Sequence, residues 1–561
     1  SRALVALAIV SALLLIGRAA LSFSSGMWLW SLNLQRFLSS PVAWGTWGVA
    51  ALAFFPPLAR RAKAWFARAG DAAADRPRRA FVLCGAFAIL LTWTLPDRVQ
   101  FVGDFLLRQS TLQTMGALPA LWYPQAMPLD LLIHDSLGRV LLALTGMRAY
   151  TEGRVLGALE AAALAALALA FARELRLRGA AGFAATAMVF FGGYLTLFTG
   201  YNKCFSEMCL VVAAAGLAMV RLARGQSGVR TSSNARSRGG ELLPLGLTLT
   251  AGALLHRSTL ALYPAALYSV WSWSKAQPRG AWRGPKNLLA LTLPIAAQLL
   301  ALPRMLAVMG DIDARHFAPA EVAQHGLLAA TFDPVRLLDM LNLVILLSPL
   351  ALAALVVLVV TRGAWHARPE LPPLAIMVAT LFAMMLAVHP QQGMFRDWDV
   401  FATLGVALSL LSALVVGESL RAAPARAWLA VPVAAMVVVF TLQWLVHETD
   451  LDRGLERVHA FMSEPPRRSE LNAMTTWEYL GIRNNRADRW EDAALAYREA
   501  AKLLPSPNIL RQLGYAEERA GNLDRARDVY QLMLSRNPAD DLARRRLAGV
   551  MARLDSLPAL R

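Results

Sequence analysis

The stretch "GMFRDWDVFATLGVALSLLSALVVG" (393–417) sets three charged residues, Arg396, Asp397 and Asp399, directly before an apolar run. A helix crossing the hydrocarbon core of a bilayer needs about 20 mostly apolar residues. Residues 400–417 approach that length, and a second apolar run, 371–388, precedes the charges. The stretch reads as two membrane segments joined by a short polar turn. Either the charges merely solvate that turn, or they belong to a polar site built at a membrane surface.

Composition supports the membrane reading along most of the chain. Of 561 residues, 57% are hydrophobic and 17% charged, a balance foreign to ordinary soluble domains. Thirteen hydrophobic segments recur, near 3–22, 41–58, 80–95, 153–172, 180–198, 204–220, 242–256, 258–273, 287–308, 338–360, 371–388, 400–417 and 427–447. The seventh and eighth are short enough to form a re-entrant pair, so about 11–13 spans are expected. The first run, from Ala3 to Phe23, is too long for a signal-peptide core and reads as a span. Cys84, Cys204 and Cys209 lie in or beside apolar runs, so no disulfide framework is indicated.

The net charge of +18 does not point to nucleic acid, because much of it sits in short loops between spans. One set of alternate loops carries Arg60, Arg61, Lys63 and Arg68, then Arg76, Arg78 and Arg79, and later Arg173, Arg176 and Arg178. The same set includes the Ser- and Gly-rich linker 225–240 and ends with Arg421 and Arg426. The positive-inside rule makes these loops cytoplasmic. A cytoplasmic N-terminus and an external tail follow, and the Ala, Leu and Arg bias suggests a bacterial inner membrane.

The opposite loops carry different chemistry. They hold Asp97, Asp104 and Arg108, then Asp130, His134 and Asp135, then Lys203, His256 and Arg257. The 309–337 loop adds Asp311, Asp313, His316, Glu321, His325 and Asp333; His389, Arg396, Asp397 and Asp399 complete the set. Asp97 and Asp104 are two helical turns apart, and Asp104 with Arg108 has the spacing of an ordinary i,i+4 ion pair. A helix beginning at Pro128 would place Asp130 and His134 on one face and leucines on the others, as expected of a helix lying in the interface. Ionisable groups at the depth of His256 and Arg257 are costly and often functional. Arg257 offers a planar fork of donors for a phosphate, and Lys203 either adds a second cation or snorkels. Arg396 and Asp399 could neutralise each other across three residues, with Trp398 as an interface aromatic, which leaves Asp397 unexplained.

The tail past residue 447 is hydrophilic and repeats itself. "WEYLGIRNNRADRWEDAALAYREAAKLLP" (477–505) matches "ILRQLGYAEERAGNLDRARDVYQLMLSRNP" (509–538) at a shift of 33, pairing Gly481 with Gly514, Ala493 with Ala526, Tyr497 with Tyr530 and Pro505 with Pro538. This resembles the tetratricopeptide repeat, which needs small residues where its helices cross. The tail is expected either to cap the membrane part or to present a groove to a protein partner.

Taken together, a span followed by a long external loop with an acid (Asp104 in "QFVGDFLLR"), an amphipathic helix inside that loop, short paired spans and further external cations resemble the GT-C superfamily. These are polytopic glycosyltransferases using polyprenyl-phosphate-linked sugars. A GT-C-like core with external repeats is similar to the animal transmembrane-and-repeat O-mannosyltransferases. One departure is that Asp97 and Asp104 are separated, where many members carry a tight acidic pair.

The resemblance implies an all-α polytopic fold with a C-terminal α-solenoid. It divides the chain into a two-span extension (1–79), a core (80–450) with external loop 96–152, a linker (451–470) and a repeat domain (471–561). It also implies transfer of a sugar at the external face. Asp104, with Asp97 as runner-up, would be the base. Arg257, Lys203, Arg396 and His256 would hold the lipid phosphate, and Asp397, Asp399, Asp130 and His134 would orient acceptor or cation. A divalent metal ion is the one cofactor the residues leave room for. Two rivals stand beside it: an O-antigen ligase or polymerase-like enzyme, and a non-catalytic scaffold presenting periplasmic repeats. A transporter is disfavoured by the lack of a duplicated hydropathy pattern and the few acids in mid-span.

Overall fold

A computed structural model describes residues 2–103, 126–147, 149–226, 240–278, 280–310, 322, 326–365 and 367–556. Helices dominate, and no strand occurs among the described residues. The chain divides into two compact units, one made of Ser1–Ser24, Leu29–Pro390 and Asp397–Leu451, the other of Ser25–Trp28, Gln391–Arg396 and Asp452–Arg561.

The first unit contains α1 (Arg2–Leu21), α2 (Ser40–Ala53), α3 (Pro56–Asp75) and α4 (Pro77–Thr94). Further along come α5 (Pro128–Leu131), a π-helical stretch (Leu132–Leu137) and α6 (Gly138–Thr145). Then follow α7 (Ala149–Glu174), α8 (Gly179–Phe190), α9 (Phe205–Gln226), α10 (Leu243–Leu255), α11 (Tyr263–Lys275) and α12 (Pro285–Val308). The last part holds α13 (Leu327–Thr331), α14 (Pro334–Leu347), α15 (Ala351–Val360), α16 (Leu371–Ala387), α17 (Ala402–Arg421) and α18 (Ala430–Thr449). The protein is a multi-pass membrane protein. Among the described residues six helical stretches are long and apolar enough to cross a bilayer, or up to nine if each of three bent pairs is one span.

The bends have local causes. Between α2 and α3 the chain turns by 88° at Phe55, whose extended backbone is what a residue before proline prefers. Ser348, also before a proline, separates α14 from α15, which differ by 97°. The sequence reading treats Arg60 to Arg68 as loop, yet they lie in α3, which exposes Arg60, Arg61 and Trp65 and buries Ala59 and Gly70. A one-sided helix of this kind suits an interface.

All thirteen apolar segments are helical. Their environments differ, because side chains that are apolar on every side can be buried in protein or face lipid equally well. Within α17 every residue from Ala402 to Leu420 is buried, while Val82 and Leu83 on α4 and Leu300 on α12 are about 70% exposed, as lipid-facing side chains.

Ion pairs gather the arginine-rich ends. Arg368 and Arg421 meet Glu418 at 2.8 and 2.5 Å, Arg224 meets Glu370 at 3.2 Å, and Arg221 meets Glu174 at 3.1 Å. Lys63 donates to the Pro424 carbonyl. Loops the sequence assigns to one face therefore do converge.

The second unit comprises α19 (Leu451–Ser463), α20 (Glu470–Arg486), α21 (Trp490–Leu503), α22 (Pro507–Arg519), α23 (Leu523–Arg536) and α24 (Asp541–Ser556). Much of the expected linker, 451–470, is thus helical, because Leu455, Val458 and Phe461 form a buried stripe. The repeat is visible in backbone detail. Asp488 and Gly521, 33 residues apart, both take left-handed conformations (φ 57° and 82°) between paired helices. A Cβ on Gly481 or Gly514 would lie 2.6 Å from the ring of Tyr497 or Tyr530 respectively. Each glycine therefore lets one helix seat the buried tyrosine of the next.

Candidate functional site

The ends of the membrane helices opposite the arginine clusters meet around one short segment, "YNKCFSE" (201–207), which leads into α9. Its side chains reach three polar groups. The segment is admitted by glycines on α7: a Cβ on Gly153 would stand 1.8 Å from Asn202 Oδ1, and one on Gly157 would stand 2.5 Å from the Phe198 carbonyl oxygen. Small residues let membrane helices and their neighbours approach this closely.

The first group centres on Asp399, which is fully buried and accepts a hydrogen bond from the Tyr201 hydroxyl. Gly103, at φ +48°, packs its backbone there, since a Cβ would lie 2.7 Å from Asp399 Oδ2 and 2.9 Å from Tyr201 Oη. The loop leaving α4 is braced just before this point. Asp97 accepts the Gln100 amide at 2.7 Å, and the Arg98 and Val99 amides donate to the Glu448 carbonyl. Glu448 accepts from His447 at 2.9 Å, with Trp444 stacked on His447 and edge-on to Trp398. A buried carboxylate held by a phenol and approached by a bare glycine backbone is costly to build, so a purely solvating turn does not describe Asp399.

The second group lies on the helix that begins at Pro128. Asp130, His134 and Asp135 are buried, while Leu132, Leu137, Val140 and Leu144 are exposed. The sequence expectation of a polar face and a leucine face is met, with the polar face turned inward. His134 Nε2 stands 2.9 Å from Glu207 Oε1, and Asp135 pairs with Arg139 at 3.1 Å. Glu152, beside His134 and Asp135, and Glu160, against Glu207 and Ser206, enlarge the cluster.

The third group is cationic. The Lys203 ammonium sits 5.0 Å from the centre of the Phe205 ring, and the His256 ring centre lies 5.0 Å from that of the same Phe205 ring. His256 occupies the turn between α10 and the 3-10 helix Arg257–Leu262, where its Nδ1 accepts the Ser258 amide at 3.1 Å. Lys203, His256 and Arg257 are each half-buried. A lysine and an imidazole from two segments thus share the Phe205 ring, and Arg257 follows His256 in the chain, a set of groups able to receive a phosphate.

Other expected residues are placed differently. Asp104 and Arg108 lie outside the described residues, as do Asp311, Asp313, His316, Glu321 and His325. Asp333 caps α14 by accepting the Val335 and Arg336 amides at 2.9 and 3.0 Å. Arg336 donates to three carbonyls at the end of α16, and His389 contacts the Ala387 carbonyl. Arg396 belongs to the second unit, where it donates to the Thr475 carbonyl at 2.8 Å and lies over the Tyr479 ring. Asp397 is buried at the start of the short helix Trp398–Phe401. Among the described residues no three His, Cys, Asp or Glu side chains are grouped to hold a metal ion.

Sequence reasoning singled out neither Tyr201 nor Glu152, Glu160 and Glu207. Glu160 carried a signal all the same, as an acid set deep in an otherwise apolar helix.

A tetratricopeptide repeat family model matches residues 507–550. No curated protein matches the sequence. Among solved structures, the chain is similar to ArnT from Cupriavidus metallidurans bound to undecaprenyl phosphate, at 17% identity and a TM-score of 0.38, covering 80% of this chain and 79% of that one. It is also similar to the oligosaccharyltransferase of Archaeoglobus fulgidus in the apo form, at 12% identity and a TM-score of 0.35, covering 71% of this chain and 58% of that one. The archaeal oligosaccharyltransferase AglB from Archaeoglobus fulgidus, in complex with an inhibitory peptide and a dolichol-phosphate, aligns at 12% identity and a TM-score of 0.35, covering 73% of this chain and 59% of that one.

Proposed function

We propose that the protein is a membrane glycosyltransferase that moves a sugar from a polyprenyl-phosphate donor to an acceptor at the face opposite the arginine-rich loops, the external face by the positive-inside rule. The observation that carries the reading is the seat of Gly103 against Asp399 and Tyr201. It brings the start of the loop bearing Asp104 to the segment that also supplies Lys203. A lipid donor keeps its phosphate and sugar at the membrane surface, where these groups gather.

In this reading Asp104 takes the proton from the acceptor hydroxyl as it attacks the anomeric carbon. The glycosidic carbon–oxygen bond to phosphate breaks, and Lys203 and Arg257 stabilise the departing phosphate. Asp399, fixed by Tyr201, orients the acceptor or the Asp104 loop. His134 holds the 128–145 helix in place through Glu207, and Asp130, buried on the same helix, orients acceptor or cation. The tetratricopeptide match favours a further role of the second unit in presenting a protein partner.

The test uses full-length protein in vesicles with a labelled polyprenyl-phosphate sugar. D104N is expected to retain donor binding and to lose transfer by about 100-fold or more, the usual weight of a general base. Full transfer by D104N refutes the assignment of the base. Absence of donor binding by the unmodified protein, with any polyprenyl-phosphate sugar, returns the scaffold reading to first place.

A further inference from the structure

We propose that the arginine-rich end of the membrane unit binds an anionic glycerophospholipid, its phosphate held by Arg76, Arg79 and Arg173 and one acyl chain lying in an apolar slot between α3, α4, α7 and α8. This site is at the end opposite the polar groups described above and is independent of their chemistry.

The slot is a cavity of about 690 Å³. It exists because alanines, including Ala80, Ala165, Ala172 and Ala187, line it where larger side chains would fill the gap between helices. Its boundaries are aromatic. Phe66 stacks near Phe183 at 4.4 Å on one side, and Phe87 meets Phe190 and Phe191 at 6.3 Å each deeper along α4. Val82 and Leu83 of α4 are exposed to the surrounding lipid, so a chain can enter from the bilayer. From Arg76 to Phe87 a helix rises about 16 Å, which is roughly one leaflet of a hydrocarbon core about 30 Å thick.

Charge selects the headgroup. Arg76 and Arg79 are exposed at the turn from α3 into α4, and Arg173 reaches the Ala73 carbonyl from α7. The carboxylates near the mouth, Asp71 and Asp75, are both engaged by Arg178, and Asp71 also accepts the Gly179 amide at 3.0 Å. The mouth is therefore positive, and arginine forks match phosphate oxygens. A basic pocket between membrane helices on the arginine-rich side is a recurrent way to hold an anionic lipid head. A zwitterionic lipid would bring its own cation into the same field and gain less.

The experiment titrates the full-length protein in detergent with phosphatidylglycerol and with phosphatidylcholine, counting bound lipid by native mass spectrometry. One tightly bound phosphatidylglycerol is expected, preferred about 25-fold or more over phosphatidylcholine, the weight of two arginines. R76Q/R79Q should lower that affinity by about fivefold per arginine and leave phosphatidylcholine unchanged, while R76K/R79K keeps most of it. A80F, which fills the slot from its rim, should abolish the bound lipid with the arginines intact. The proposal is overturned if the unmodified protein shows no preference, if R76Q/R79Q keeps it, or if A80F still holds the lipid.

Discussion

Tyr201 donates its phenolic hydrogen to Asp399 Oδ2, joining residues 198 positions apart at the buried end of the membrane unit opposite the arginine clusters. The bond removes one donor and one acceptor from an environment with little water, so each partner depends on the other. Y201F should destabilise the protein by about 1–3 kcal/mol, the cost of leaving a buried group without its partner. Thermal unfolding in detergent measures this; an unchanged midpoint would show that Asp399 finds an equivalent donor without Tyr201.

Gly103 depends on lacking a side chain in two ways. Its φ of +48° disfavours other residues, and a Cβ would collide with Asp399 and Tyr201. G103A should cost more than about 1 kcal/mol and displace the loop carrying Asp104. On the proposed function, transfer falls with it while lipid-phosphate binding persists. Wild-type transfer by a folded G103A protein would uncouple this loop from the chemistry.

Lys203 is held beside Phe205, whose ring also lies against His256. K203M keeps the stem and removes the charge, so the packing against Phe205 should survive. Affinity for a polyprenyl phosphate is expected to fall about tenfold, equivalent to about 1.4 kcal/mol. Equal loss for an uncharged polyprenol would assign Lys203 to packing instead of phosphate recognition.

His134 and Glu207 form a buried pair between the 128–145 helix and α9. Removing one partner leaves the other uncompensated, so H134L or E207L alone should cost about 3–5 kcal/mol. The double replacement should cost less than the sum of the two. A double-mutant cycle by thermal unfolding decides it, and additivity would mean the two side chains act independently.

The repeat tyrosines give a pH prediction. Burial pushes the Tyr497 and Tyr530 hydroxyls well above the ordinary value of 10.0. Above pH 10 the unfolded chain releases these protons while the folded unit retains them, so stability is full below that pH and declines as pH rises. Circular dichroism of the full chain, followed with tyrosinate absorbance, should show α20 to α23 melting as the tyrosines ionise. Tyrosinate appearing near pH 10 with helices intact would contradict it.

Much of the architecture was legible without coordinates. Apolar length set the membrane helices, arginine placement separated their two ends, and a 33-residue self-match set the repeat geometry later seen at Asp488, Gly521, Tyr497 and Tyr530. The polar face of the 128–145 helix was readable from spacing as well. Its inward orientation was not, because a leucine face suits lipid and protein alike.

The composition of the site was only half visible. Sidedness grouped Lys203, His256 and Asp399 in the sequence reading, but nothing in a linear pattern says that Tyr201 reaches Asp399, or that Lys203 and His256 both contact the Phe205 ring. Arg396 shows the limit most sharply. One residue from Asp397 in sequence, it belongs to the other unit and serves the Thr475 carbonyl. The sequence by itself determined which segments enter the membrane and which end of them is basic, since hydropathy and charge act residue by residue. Only the tertiary structure decided which polar groups meet, because contacts between distant segments depend on where glycines and prolines let helices bend and approach.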